Sequence, residues 1–353
     1  MEQTLTGSIQ NCGHAESGTI VHSRGKSLVV DIHCHFAVGT AEARVREAVS
    51  DMPLSMPYTS AASQQVNIAQ FAAIGSRLNG VQERLEDMDR LGIDVQAISP
   101  SPGQYFYFTE PELGRELSHM VNDGIAEAVA SHPDRLVGLG NVPLQNTEMA
   151  VAELRRCIKE LGFRGVEINT NVNGRELADP AFRPFFAAAQ ELGALIFVHP
   201  LGFTHGERLT EHYLNNIIGN PLESTLALSH LIFGGVLDAL PGLKLCVAHG
   251  GGYLPSYWGR MDHAWRVRPE CRVTCAHQPS HYLRQIWVDT LVFDREQLNA
   301  LVRTHGADRL CLGTDYPFDM SEPDPVGFHD DLDGPTRAKI LGLNAAALLG
   351  LAD

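Results

Sequence analysis

Residues 28–35 read LVVDIHCH, a nearly unbroken apolar run that ends on two histidines one residue apart. The run is too short for a buried helix and matches a parallel strand covered on both faces. Side chains alternate along a strand, so His33 and His35 share a face, and Asp31 is expected to share it too. Seven further runs of this kind follow, at residues 95–99, 136–142, 165–169, 194–199, 244–249, 286–290 and 309–315. Amphipathic patterns lie between them. Residues 82–91 place Leu85, Met88 and Leu91 on an apolar stripe, and residues 147–161 open on a Thr suited to capping and carry Met149, Val151, Leu154 and Ile158. Residues 180–192 and 223–240 read the same way. Eight β–α repeats predict an α/β protein, a closed (β/α)8 TIM barrel. No G-x-G-x-x-G follows the first run, which argues against an open dinucleotide-binding sheet.

Two segments fall outside the repeat. Residues 1–27 are polar and read as an extended N-terminal arm, and residues 28–353 as the barrel domain. Residues 36–80 are too long for a simple loop and are expected to form an insertion, or a lid over the strand ends. No second domain boundary is visible.

The chain has 353 residues, 44% hydrophobic and 20% charged, enough for a large core. A formal charge of −15 argues against nucleic acid or an anionic membrane as partner, but leaves room for an acidic small molecule bound by local arginines. The seven cysteines are odd in number and scattered, so no disulfide framework is expected. No run approaches the roughly 18 apolar residues that cross a bilayer, and the N-terminus lacks a signal-peptide pattern; a cytoplasmic protein is expected.

In a barrel of this type the chemistry sits at the C-terminal ends of the strands. Strand one ends in His33 and His35, strand five in His199, strand six in His249 before three glycines, and strand eight in Asp315. Imidazoles with a carboxylate suit Zn²⁺, and Mn²⁺ or Fe²⁺ as well. A single histidine at a strand end is usually a satisfied core or loop residue. Ligand-type residues at four strand ends together point to one divalent metal, zinc first.

The DIHCH of strand one, the VHP of strand five, the HGGG of strand six and the GTDYPF of strand eight resemble the amidohydrolase superfamily. RLEDMDRLGIDVQ at residues 84–96 and GRMDHAWR at residues 259–266 resemble more narrowly its branch of aminocarboxymuconate-semialdehyde decarboxylase and related enzymes. That resemblance implies His33, His35, His199 and Asp315 as metal ligands, with His249 beside the metal-bound water; a fifth ligand is the alternative for His249. It also implies Arg260 as a carboxylate clamp supplied across a homodimer interface, against the plain reading of a surface salt bridge. The family's second substrate arginine has no match at the right spacing, Arg77 being the nearest. His199-Pro200 is followed by Leu-Gly-Phe203 where the family has Trp-Asp-Met. The function implied is non-oxidative decarboxylation of an unsaturated or aromatic carboxylic acid, with His249 and Asp315 catalytic; metal-dependent hydrolysis of an amide, lactone or C–C bond is the alternative.

Other residues have two readings each. The aromatic run from Tyr105 to Phe108 either walls a substrate pocket, with Tyr105 and Phe203 as substrate contacts, or packs under the insertion. Asp31 and Glu167 either support a ligand or are structural. Asp289 stands near the end of strand seven without a readable direction. Cys271, Cys275, His277 and His281 have spacing reminiscent of a zinc site, or are ordinary loop residues.

Overall fold

A computed structural model describes residues 28–53 and 56–351; the expected N-terminal arm lies outside the described residues. Eight parallel strands are hydrogen-bonded in chain order. They are β1 (Val30–Phe36), β2 (Val95–Pro100), β3 (Leu136–Gly140) and β4 (Gly165–Ile168). β5 (Leu195–Val198), β6 (Lys244–Val247), β7 (Ile286–Asp289) and β8 (Leu310–Cys311) complete the set. The ring is joined across β1 and the chain after β8: Ile32 N donates to Leu312 O at 2.9 Å and His35 N to Tyr316 O at 2.8 Å. The expected barrel is therefore present.

Strand alternation sorts the apolar residues. On β5, Leu195 and Phe197 join the inner cluster with Val30, Ile32, Val95 and Ala97, while Ile196 and Val198 face the helices. The last helix, Asn344–Leu349, adds Ala345 and Leu348 to the inner cluster. A helix follows most strands and packs outside, as in Pro111–Ser131 after β2 and Thr147–Lys159 after β3.

Four departures from the sequence reading carry physical reasons. The last strand is two residues long rather than seven, because the backbone from Thr314 onward leaves the ladder to bond with His33 and Asp31. The helix over residues 82–91 buries Arg84 and Met88 fully, and leaves Leu85 and Leu91 only partly covered. The helical stretch expected at 223–240 starts earlier and breaks at Gly234 and Gly235, giving Asn220–Phe233 and Val236–Ala239. Finally, the register of β1 on β2 slips by one residue between Asp31 and Cys34. Such a bulge reverses which residues face inward. Asp31 is thereby turned to Gln96, on the side away from the two histidine rings.

The segment at residues 36–80 holds two helices, Gly39–Ala48 and Ala61–Asn79. The second packs Ile74 and Leu78 against Ala37 and Phe318, and its Phe71 ring meets Phe318 edge-on at 6.0 Å. Phe318 in turn lies 5.4 Å from the His35 ring, so the insertion covers the strand ends beside that histidine.

Candidate active site

Each strand-end residue singled out above reaches one place. The ligand atoms of His33, His199, His249 and Asp315 all lie within 4.8 Å of one another. His35 joins them: its Nε2 is 3.2 Å from His33 Nε2 and 3.1 Å from Asp315 Oδ1. The rings of His33, His35 and His249 stand 4.8 to 5.0 Å from that of His199.

Local backbone makes this convergence possible. His249 and Asp315 both leave their strands in the left-handed region, at φ 56° and 62°. Non-glycine residues held there cost of order 1–3 kcal/mol each and concentrate at functional sites. Gly313 is required by close approach: a Cβ there would sit 2.7 Å from Asp289 Cβ and 2.8 Å from His33 Cβ. The chain after β8 thus passes directly over β1 and β7, delivering Asp315 beside the histidines.

The hydrogen bonds around the rings test whether a cation fits. His33 Nδ1 lies 2.6 Å from Asp289 Oδ2, and His35 Nδ1 lies 3.1 Å from the Pro100 carbonyl. Both partners are acceptors, so each Nδ1 donates and both rings turn Nε2 toward the same point. The two Nε2 atoms stand 3.2 Å apart. Neither nitrogen of buried His199 has a hydrogen-bond partner. Imidazole nitrogens converging on one point beside an ionised carboxylate, with no other protein partner for His199, are what a divalent cation satisfies.

The electrostatics agree. Burial opposes the His33 imidazolium, yet the Asp315 and Asp289 carboxylates overcome it and push its pKa from 6.5 to about 10. The metal-free site holds a proton where positive charge is wanted. Burial first, and then the neighbouring histidines, keep His199 well below 6.5 and therefore neutral. Burial raises the Asp315 carboxyl, but His33 and hydrogen bonds from the surrounding imidazoles hold it well below 3.8.

A layer of side chains fixes these groups. Asp289 takes the His33 ring and the backbone N–H groups of His249 at 3.0 Å and Gly250 at 2.8 Å. Glu167, buried and with its pKa raised by burial, accepts from Ser99 at 2.5 Å and from the Tyr105 hydroxyl at 2.7 Å. That hydroxyl also lies 3.2 Å from the His199 carbonyl. Tyr105 is buried, and Phe203 is half-buried beyond His199.

Arg260 lies exposed on the helix Leu254–Val267, with no ion pair among the described residues. Arg77 is spent on an ion pair with Asp87 at 3.3 Å. Cys275 Sγ donates to the His277 carbonyl at 3.1 Å, and those four loop residues do not gather as a metal site among the described residues. Arg84 and Gln96 stand at the two ends of the motif at residues 84–96, which by itself assigns neither of them a role.

The Amidohydrolase family matches residues 30–351. A 2-amino-3-carboxymuconate-6-semialdehyde decarboxylase from Dictyostelium discoideum is 39% identical over 285 residues, covering 80% of this chain and 79% of that protein. A gamma-resorcylate decarboxylase from Rhodococcus jostii is 29% identical over 294 residues, covering 78% and 89%. Among solved structures, a 5-carboxyvanillate decarboxylase from Novosphingobium aromaticivorans with bound manganese superposes with a TM-score of 0.83 at 24% identity, covering 94% of this chain and 100% of that one. On the match to its profile and the 39% identity, the chain belongs to the amidohydrolase family, in the branch that resembles 2-amino-3-carboxymuconate-6-semialdehyde decarboxylase.

Proposed function

We propose that this protein is a metal-dependent, non-oxidative decarboxylase of an unsaturated or aromatic carboxylic acid. The observation that carries this reading is the convergence of His33 and His35, their Nε2 atoms 3.2 Å apart beside Asp315, in a chain 39% identical to a decarboxylase. His33, His35, His199 and Asp315 are the proposed ligands. When bound there, a divalent metal supplies Lewis acidity that polarises the substrate and stabilises the charge left as CO₂ departs. Zinc is the first metal we propose on this donor set, and manganese the second.

His249 is proposed as the proton carrier. Its side chain is the most open of the five, at 15% exposure against 10% for Asp315 and none for His33 and His35. Its Nε2 lies 3.8 Å from Asp315 Oδ2, at the edge of the ligand cluster, where a proton can be carried and delivered to the carbon that loses CO₂. Asp289 holds the His249 backbone, which fixes where that proton is released.

The exposed Arg260 guanidinium, free of ion pairs among the described residues, suits a carboxylate clamp offered to the site of a second copy. A homodimer follows from that assignment. Phe203 beside the strand-five end and Tyr105 beneath His199 are the proposed substrate-side neighbours.

The test is CO₂ release by enzyme loaded with zinc or manganese over carboxylated muconate semialdehydes and hydroxybenzoates, with His249→Ala as the control. Release that disappears in the variant supports the decarboxylase. Full metal occupancy with no release from any member would transfer the site to hydrolysis, and esters, lactones and amides would be assayed next.

A further inference from the structure

Arg84 is fully buried, and among the described residues its guanidinium meets carbonyl and amide oxygens rather than a carboxylate. Burying a charge without a counter-ion costs several kcal/mol, so such a residue must be held by other interactions. One Nη2 donates to the His35 carbonyl at 2.5 Å and to the Arg77 carbonyl at 3.1 Å, while Nη1 donates to Gln96 Oε1 at 2.9 Å. The guanidinium lies over the Tyr316 ring at 4.9 Å and the Phe36 ring at 5.7 Å. Phe36 directly follows His35, and Tyr316 directly follows Asp315. Arg84 therefore occupies the seam where the barrel closes, between the chain segments that carry three of the four proposed ligands.

The contact continues inward. With its oxygen occupied by Arg84, Gln96 must turn its amide nitrogen to Asp31 Oδ2, at 3.0 Å. Asp31 then collects His33 N and Thr314 N, both at 3.1 Å, on Oδ1 and the Thr314 hydroxyl at 2.7 Å on Oδ2. These bonds tie the β1 bulge, which turns His33 inward, to the turn that presents Asp315. The seam needs that tie, because β8 contributes only two residues to the ladder.

We propose that Arg84 is a positioning residue for the metal site, acting directly on the His35 carbonyl and through Gln96 and Asp31 on His33 and Asp315. Lysine cannot replace it: an ammonium has neither the planar fork that serves three acceptors nor the face that stacks between Phe36 and Tyr316. This inference rests on the proposed ligand set.

Direct Mn²⁺ binding by wild type, Arg84→Lys and Gln96→Met tests it, together with the melting temperature of each metal-free protein. Gln96→Met keeps the volume and the Arg84–His35 bond but cuts the link to Asp31. The expected result is a Kd about tenfold or more higher in Arg84→Lys and a smaller rise in Gln96→Met. The double variant should lose little beyond Arg84→Lys alone, because the two act in one chain of bonds. Wild-type Kd in both single variants, whatever happens to melting, would make Arg84 a packing element and overturn the proposal. Should Arg84→Lys not fold, Gln96→Met with wild-type Kd overturns it alone. A wild type that binds no metal would overturn the ligand set and this inference together. Metal binding without CO₂ release would overturn only the decarboxylase.

Discussion

Asp289 accepts a 2.6 Å hydrogen bond from the ring of His33, and with the same carboxylate it holds the backbone N–H groups of His249 and Gly250. One buried acid thus orients a proposed metal ligand and seats the residue proposed to move the proton. Asp289→Asn can keep part of this geometry but no longer offers an acceptor to every donor. We expect metal affinity to fall by about ten- to a hundredfold, since partners of ligating histidines have effects of that size. Titration against a competing chelator measures it; an unchanged Kd would show that Asp289 acts on His249 alone.

Asp315→Asn removes the only carboxylate among the proposed ligands, and with it the charge that holds the His33 imidazolium high. Metal content measured by elemental analysis should drop well below one per chain. Unchanged content would sink the ligand assignment.

His249→Ala should leave metal content intact while kcat falls by a factor on the order of 10² to 10⁴, the range typical of a general acid or base. Loss of metal in this variant would instead make His249 a fifth ligand.

Arg260→Ala and His249→Ala provide a complementation test. If Arg260 serves the site of the partner copy, a mixed dimer contains one site with both residues intact. Random mixing of the two inactive variants should then restore about a quarter of wild-type activity in a symmetric dimer. No recovery would place Arg260 in its own site or outside any.

His329 supplies a pH prediction away from the metal. Its ring is buried, with Nδ1 on the Pro325 carbonyl at 2.8 Å and Nε2 on the Thr290 hydroxyl at 3.0 Å. Burial lowers its pKa from 6.5 to about 4. Between those values the unfolded chain binds a proton that the folded chain does not, so stability is full above pH 6.5 and is lost as pH falls toward 4. The whole loss is about 3 kcal/mol at 1.36 kcal/mol per pKa unit. Urea unfolding with a chelator present should show this slope in wild type and a flatter one in His329→Gln, which retains a donor and an acceptor. Equal slopes would refute it.

Eight apolar runs alternating with amphipathic stretches suffice to specify the barrel, because burial on both faces and the period of each element are local properties. The ligand-type residues are legible for the same reason: a strand end in this architecture is a place, and His33, His35, His199, His249 and Asp315 stand at strand ends. The metal chemistry is therefore written in the order of residues along the chain.

Tertiary structure alone decided the rest, since it depends on contacts between residues far apart in sequence. The side taken by Asp31 depends on a one-residue slip of β1 against β2, which alternation within a single strand does not reveal. The hydroxyl of Tyr105 is committed to Glu167, 62 residues away, and Asp289 reaches His33 across 256 residues. Arg84 sits among charged neighbours on a helix and reads as exposed; only the closing seam, with the His35 carbonyl on one side and Gln96 on the other, makes burial of its charge favourable.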